Sequence, residues 1–406
     1  MSRFLSAFSV AGPSRLGWLD ALRGIAALVV VFDHSSYTFM ADFRRELMPY
    51  FNTSRYGIMV FFLVSGYIIP SSLERRGCVR TFWIGRIFRV YPLWAAVVTT
   101  LLALNALGIA EIRDFSPQSA TSLMVAHATM LQELLGTPNL LLVLWTLSYE
   151  MSFYLLVVAL FTVRFHRRSA AVAAILAVLA AGSVAAGVAF PPSALSGLFG
   201  TGPVIAFASG TMGIALCCAS AGSAVLRGFG GLLGGVLALA LVPFNGIVPL
   251  WEGLVILAVM FVGTTVYRAE NSQCTWRSAA GTAVLVAACA VGSASWWGDG
   301  DHFTKLGWIV AFLLAVSTFG AGLALRSQCL PRVLTGLGTI SYSVYLVHPV
   351  LLTVIDSTVG RRQQDSLALE VAFFIALLPV CLLTYRYIEA PSQTWGRRLA
   401  HRMQPS

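Results

Sequence analysis

The sequence predicts an all-α, polytopic integral membrane protein, and two observations carry that prediction. Of the 406 residues, 57% are hydrophobic and only 11% are charged, with a mean hydropathy of +0.79. The apolar residues also cluster in runs of about 20, the length that crosses a hydrocarbon core of about 30 Å. Runs of this kind exclude a soluble globular protein, whose core does not require them.

We predict about twelve transmembrane helices, within a range of ten to twelve, in a single membrane domain over 17–388 with no appended soluble domain. Only Pro243 to Gly246 separates the seventh span from the eighth. Residues 118–136 are too polar to span and predict an amphipathic surface helix. The predicted spans are 17–40, 56–73, 88–109, 139–163, 169–189, 198–218, 226–243, 247–267, 279–297, 304–325, 335–355 and 367–388.

The basic residues predict that both termini are cytoplasmic. With twelve spans and the N-terminus inside, 20 of the 27 basic residues fall in cytoplasmic segments. This bias is what the positive-inside rule expects, and removing one span would reverse every later loop. The seven basic residues left outside are Arg44, Arg45, Arg55, Arg113, Lys305, Arg361 and Arg362.

The charge and the cysteines exclude two other classes of protein. The net charge is +10, but the arginines are scattered between hydrophobic segments, so nucleic acid is not an expected partner. The seven cysteines show neither metal-ligand spacing nor a disulfide framework. We therefore expect no bound metal, and membrane lipids as the surroundings.

The first predicted helix carries ionisable residues at membrane depth. Asp20 and Arg23 lie near its start, and Asp33 and His34 follow an apolar stretch. Such residues are costly in a bilayer and normally serve a function. A histidine beside a carboxylate can take a proton from a hydroxyl, although Asp33 points to a different side of the helix. The alternative is that His34 lies among the lipid headgroups at the outer end of the helix.

Arg86 and Arg89 stand three residues apart at the cytoplasmic start of the third span, so they share a helix face. Paired guanidinium groups suit a phosphate, because their fork geometry and permanent charge match it. The alternative is that the pair only sets orientation, since the positive-inside rule places arginines at this end of a span.

Glu150 lies within the fourth predicted span, roughly 16 Å along a helix that enters from outside. A carboxylate at that depth needs a partner or a proton. His34 is the best candidate, because it reaches the same outer half of the membrane. The alternative is a structural glutamate held by a tyrosine or by the backbone.

Ser341, Tyr345 and His348 form one stripe of the eleventh predicted helix, at positions i, i+4 and i+7. Pro349 follows directly and removes a backbone hydrogen bond, which favours a kink. The stripe is compatible with a functional surface and equally with a hydrogen-bonded packing histidine.

Together these four places resemble the membrane-bound acyltransferase family three, which O-acylates bacterial surface polysaccharides, Nod factors and antibiotics. The resemblance covers nearly the whole chain. Two departures stand out: Met151 replaces a second acidic residue found in many members, and no periplasmic esterase-like domain follows the spans. The matching motifs are LDALRGIAALVVVFDH at 19–34, RIFR at 86–89, WTLSYEMSFY at 145–154 and SYSVYLVH at 341–348.

The resemblance implies an enzyme of a bacterial plasma membrane. Such an enzyme moves an acetyl or other short acyl group from cytoplasmic acyl-coenzyme A to a hydroxyl of a sugar or glycan. The expected acceptor is an exopolysaccharide or a cell-surface glycan. His34 falls on the family's catalytic histidine, and Glu150 would orient it. His34 would act as general base or carry the acyl group covalently. The implied donor-binding residues are Arg86, Arg89 and Arg23. The candidates for lining the acceptor site or channel are Asp33, Tyr345, His348 and Ser341.

Two alternatives remain open at this point. One is an acyltransferase that modifies a small molecule such as a macrolide antibiotic. The other is a transporter or flippase for a polysaccharide or lipid-linked sugar, although the halves of the chain show no matching hydropathy or paired broken helices.

Overall fold

The structure is a computed structural model that describes residues 16–112, 118–300, 304–362 and 364–403. The described residues form α-helices and short 3₁₀ or π turns, without a β-strand. The helices are α1 Gly17–Phe39, α2 Ala41–Leu47, α3 Thr53–Arg76, α4 Val79–Ala106, α5 Ala120–Ala128, α6 Trp145–Thr162, α7 Ser169–Ala185, α8 Ala194–Phe199, α9 Thr201–Ala219, α10 Ala224–Asn245, α11 Leu250–Glu270, α12 Trp276–Trp297, α13 Lys305–Ala324, α14 Arg332–Thr339, α15 Ser341–Thr358, α16 Leu367–Thr384 and α17 Ala390–Arg402.

Among the described residues, ten helices are long and apolar enough to cross a membrane, and a bent pair of helices would make an eleventh span. The chain is therefore a multi-pass membrane protein, as predicted. α1 has 23 residues but is not among the ten, because its three charged residues, Asp20, Arg23 and Asp33, interrupt the apolar run. α10 and α11 are separate helices, as predicted, but the break between them is Gly246 to Pro249 and Pro243 lies inside α10.

Three predicted segments differ from the structure. The third predicted span is part of α4, which begins at Val79 rather than at 88. Arg86 and Arg89 therefore lie two to three turns inside this helix. The predicted span 335–355 is two helices, α14 and α15, which meet at an angle of 66°. The predicted surface helix over 118–136 ends at Ala128, and the 3₁₀ turn Gln132–Leu135 that follows is buried.

The chain divides into two compact units. Among the described residues, the first unit contains 16–64, 85–112, 298–300, 304–362 and 364–398, and the second contains 65–84, 118–297 and 399–403. α1 is the central helix of the first unit, where it contacts α2, α13, α14, α15 and α16. α11 is the central helix of the second unit, where nearly all of its residues are buried among α6, α7, α10 and α12.

Glycine allows α14 to lie directly on the N-terminal part of α1. A Cβ atom on Gly338 would stand 1.8 Å from the carbonyl oxygen of Asp20, and one on Gly24 would stand 2.9 Å from the Gly338 nitrogen. Real side chains do not reach such distances, so both positions require glycine for this packing. The first turn of α1, which carries Asp20, is thereby fixed against α14.

Within the first unit, two loops are hydrogen-bonded to the ends of neighbouring helices. The amide of Asn52 donates to the carbonyl of Gly307 in α13 at 3.1 Å, and the amide of Arg362 donates to the carbonyl of Thr38 in α1 at 3.0 Å.

Candidate active site

The central feature of the first unit is a pair of histidines from α1 and α15. Nδ1 of His34 lies 2.8 Å from Nε2 of His348, and the planes of the two rings are within 13° of parallel, with their centroids 5.1 Å apart. The His348 side chain is fully buried, whereas that of His34 is 14% exposed. A buried pair of imidazoles with one member open to a ligand is a suitable arrangement for proton transfer.

The contact of His348 Nδ1, the ring nitrogen that does not face His34, determines where the protons lie when both imidazoles are neutral. Its Nδ1 is 2.8 Å from the carbonyl oxygen of Val344, and a carbonyl oxygen can only accept. His348 Nδ1 therefore donates, and its Nε2 accepts. His34 must then donate from Nδ1 to His348. Nε2 of His34 is left with a free lone pair, which is the state that a general base requires.

The sequence around His348 accounts for this geometry. Pro349 has no N–H with which to bond the Tyr345 carbonyl, so one backbone hydrogen bond of this turn of α15 is missing. The same turn holds the ring of His348 against the carbonyl of Val344. The prediction placed His348 in the site, but it did not identify His348 as the partner of His34.

The other members of the predicted stripe lie in different surroundings. Tyr345 is buried, and its ring is 6.3 Å from that of His348 and 5.6 Å from that of Phe61. It therefore extends the row of rings that starts at His34. Ser341 is also buried, but its hydroxyl donates to the Gly338 carbonyl at the break between α14 and α15.

Asp33 is held by an ion pair rather than left open to a ligand. Its Oδ1 lies 2.7 Å from Nη1 of Arg44, and Thr53 donates to the same oxygen. Arg44 is also fixed by Tyr37, whose hydroxyl is 2.7 Å from Nη2. The second oxygen of Asp33 lies 3.9 Å from Nε2 of His34. Asp33 thus has a structural partner on one side and the proposed base on the other.

The predicted donor-binding residues Arg23 and Arg89 meet at a group of carboxylates. Arg23 lies 3.7 Å from Asp20, and both arginines are within electrostatic reach of Asp20 and Glu389. Glu389 is 3% exposed and accepts hydrogen bonds from Ser343 at 2.9 Å and from Gln393. The structure therefore brings Arg23 and Arg89 together, with counter-charges already present.

Glu389 was not among the site residues predicted from the sequence. It ends a π turn, Tyr385–Glu389, that joins α16 to α17. π turns are frequent at functional sites. The available signal was an acidic residue directly after the last apolar run. Arg86, the third predicted donor-binding residue, belongs to the same unit, and its side chain is buried.

Glu150 belongs to the second unit, where its carboxylate accepts a hydrogen bond from the hydroxyl of Tyr154 one turn later. It lies in the second turn of α6, because the helix begins at Trp145 after a 3₁₀ turn rather than at 139. Along the helix, Glu150 lies five residues, about 8 Å, beyond Trp145. His34 has its hydrogen-bonding partner within the first unit instead.

The described residues contain no group of three histidine, cysteine, aspartate or glutamate side chains that could hold a metal ion. The site's own side chains offer a neutral imidazole, a nearby carboxylate and, at the other end of α1, two guanidinium groups.

These features define a class: a multi-pass membrane protein whose first helix carries an imidazole that can accept a proton. The comparison with known families is more specific. Residues 16–386 match the acyltransferase domain family, acyltransferase family three, and the chain belongs to that family.

Among individual proteins, the acyltransferase MdmB of Streptomyces mycarofaciens is similar to part of the chain. The two are 32% identical over 149 residues, which is 35% of this chain and 38% of that protein. No solved structure matches the chain.

The buried ion pair supplies a test of the structural role of Asp33. Both side chains are at most 10% exposed, so Asp33→Ala leaves the Arg44 guanidinium buried without its counter-charge. We expect the free energy of unfolding, measured by thermal unfolding in detergent, to fall by about 3–5 kcal/mol. Asp42→Ala is the matched control, because it removes an exposed pair with Arg45 and should cost at most about 1 kcal/mol. Equal effects of the two substitutions would contradict the structural role.

Proposed function

We propose that the protein is an integral-membrane O-acyltransferase that moves an acetyl or other short acyl group from acyl-coenzyme A to a hydroxyl of a sugar. The hydrogen-bonded pair of His34 and His348 is the observation that carries the proposal. Membership of the acyltransferase family supports group transfer over the alternative of transport.

In the proposed reaction His34 is the catalytic base. Its Nε2 takes the proton of the acceptor hydroxyl while the oxygen attacks the thioester carbonyl carbon. The carbon–sulfur bond then breaks, and the coenzyme A thiolate leaves and recovers the proton. His348 is a positioning residue, since its Nε2 holds the Nδ1 proton of His34. The second oxygen of Asp33, 3.9 Å away, offsets the positive charge that His34 carries between the two proton transfers.

Glu150 remains a proposed catalytic residue on the strength of its motif. Glu150 has a hydrogen-bonding partner in Tyr154 and His34 has one in His348, so we assign the orienting role to His348 rather than to Glu150. We propose instead that Glu150 contributes charge to the reaction.

Arg23, Arg89 and Arg86 are the proposed binding groups for the donor's phosphates. The cluster with Asp20 and Glu389 lies near the N-terminal end of α1. Along this helix His34 is 14 residues beyond Asp20, a rise of about 21 Å. The long pantetheine arm of coenzyme A could carry an acyl group over such a distance. The acceptor hydroxyl would then reach His34 from the opposite side of the membrane.

We propose a bacterial plasma membrane as the location and exopolysaccharide or another cell-surface glycan as the acceptor. A macrolide or a similar hydroxylated small molecule is the second candidate, because the family resemblance includes enzymes that modify antibiotics. Radiolabelled acetyl-coenzyme A, offered with a panel of pyranosides and macrolides, distinguishes the two by which product carries the label.

Substitution of the two histidines tests the base. His34→Ala should lower acceptor-dependent release of coenzyme A at least about 100-fold while donor binding persists, because a base acts only in the chemical step. His348→Leu should lower kcat with the donor KM unchanged, and His348→Gln should recover part of it, since an amide oxygen can accept the Nδ1 proton of His34. Wild-type transfer should also fall at low pH as imidazole protonates.

Two results would contradict this assignment. Near wild-type transfer by His34→Ala would remove His34 from the mechanism. Equal activity of His348→Leu and His348→Gln would show that His348 only fills space. Label trapped on the wild-type protein and absent from His34→Ala would instead indicate a covalent acyl-histidine.

Substitution of Arg89 tests donor binding. Arg89→Ala should weaken acetyl-coenzyme A binding about tenfold, and Arg89→Lys should recover only part, since lysine keeps the charge but loses the fork. Arg332→Ala, which removes an exposed arginine of the same unit, is the control. If Arg89 serves only to neutralise Glu389, Arg89→Ala combined with Glu389→Gln should bind the donor like wild type, and the proposed phosphate contact would be wrong.

The distribution of basic residues gives a proposed orientation, with both termini in the cytoplasm. A fluorescent protein fused to the C-terminus should therefore fold and fluoresce, whereas an alkaline phosphatase fused there should be inactive. The reverse pattern would place the C-terminus outside and contradict the proposed orientation.

A further inference from the structure

The second unit contains a cavity that the proposed reaction does not use. Its volume is about 830 Å³, and its lining residues come from three segments, 77–80, 161–167 and 219–227, together with Met403. In the twelve-span arrangement these are three successive loops of the cytoplasmic side. A volume of this size accommodates a complete small ligand.

The charge of the cavity has one sign. Four arginines line it, together with His166, and none of its described lining residues is acidic. The side chains of Arg80, Arg164 and Arg167 make no hydrogen bond or ion pair with another described residue. Four guanidinium groups around one cavity repel each other, and a bound anion relieves that repulsion. The arginines are Arg80, Arg164, Arg167 and Arg227.

Arg227 is the anchored member of the four. Its Nη1 lies 2.5 Å from the carbonyl oxygen of Gly222 and 3.3 Å from that of Ala221. These bonds hold the guanidinium over the loop between α9 and α10 and leave its other N–H groups available. A guanidinium fixed in this way loses less conformational entropy when it binds a ligand.

The backbone at Arg164 is the second, independent observation. Arg164 has a φ of 62°, in the left-handed region that favours glycine. It follows the end of α6, where its amide donates to the Phe161 carbonyl and the Phe165 amide donates to the Leu160 carbonyl. This helix ending normally carries glycine at the position of Arg164. Arg164 thus keeps a long, charged side chain at a position that favours glycine, and this supports a role for that side chain in the cavity.

We propose that this cavity binds a phosphate ester on the cytoplasmic side. Guanidinium groups bind phosphate oxygens through paired hydrogen bonds, and the volume leaves room for the body to which the phosphate is attached. Phe161 and Val79 supply apolar surface for that body. The headgroup of an anionic phospholipid and a soluble nucleotide both carry this chemistry. The site is separate from the proposed donor cluster of the first unit and does not depend on the proposed acyl transfer.

The test uses the full-length protein in nanodiscs and two probes. The soluble probe is adenosine 3′,5′-bisphosphate, titrated in nanodiscs of neutral phosphatidylcholine. The lipid probe is cardiolipin, mixed with phosphatidylcholine and detected as bound adducts by native mass spectrometry. One probe should bind the wild-type protein, and that probe identifies the source of the phosphate.

Arg164→Gly is the decisive variant. Glycine suits the left-handed backbone, so this substitution removes the guanidinium while it relieves strain, and the variant should fold at least as well as wild type. We expect binding of the probe to weaken on the order of tenfold, and more when Arg167→Gln is added. Arg168→Gln is the matched control: it removes the same charge from the same loop, but Arg168 does not line the cavity.

Three results would overturn the proposal. The first is that neither probe binds the wild-type protein. The second is that the bound probe is unaffected by Arg164→Gly. The third is that Arg168→Gln weakens binding as much as Arg164→Gly, which would show a general attraction to a basic surface rather than a site.

Discussion

A polar group inside a membrane has no water to bond with, so its partner must come from the protein. α1 is the helix on which this constraint acts most strongly, because it carries Asp20, Arg23, Asp33 and His34 within a membrane-length segment. The packing of the first unit follows from it. α2 delivers Arg44 to Asp33, α15 delivers His348 to His34, and the turn after α16 delivers Glu389 to the arginines.

The two ends of α1 thereby acquire different chemistry. The N-terminal end collects guanidinium and carboxylate groups, and α14 lies against it through two glycines. The C-terminal end is locked by the buried ion pair of Asp33 and Arg44. His34 lies next to the locked end, with one ring nitrogen committed to His348 and the other available. A rigid surround of this kind is what a base requires, since misplacement by about 1 Å can cost a large part of the rate.

Much of the fold could be predicted because membrane thickness fixes the length of an apolar run. All twelve predicted spans contain a helix, and the division between α10 and α11 was correct. The errors arose where apolar sequence does not determine geometry. The start of α4 at Val79 lies in a polar stretch, and the 66° bend at Ile340 depends on the contact of α14 with α1, which no local pattern reveals.

The candidate residues could be predicted from the sequence, but the contacts between them could not. His34, Arg23 and Arg89 stand out because ionisable groups are rare in apolar helices. His348, which bonds to His34, is 314 residues away, and Glu389 follows the last span, so neither contact appears in the sequence. The predicted pairing of Glu150 with His34 stays a prediction.

The proposed catalysis depends on one protonation state, in which His34 carries its proton on Nδ1 and leaves Nε2 free. ¹⁵N NMR of histidine-labelled protein in lipid measures this directly, and the spectrum of His34→Ala assigns the His34 signals among the six histidines. At pH 7.5 we predict a protonated Nδ1 and an unprotonated Nε2 for His34. A protonated Nε2 with a bare Nδ1 would reverse the direction of the hydrogen bond with His348 and contradict its assignment as the base.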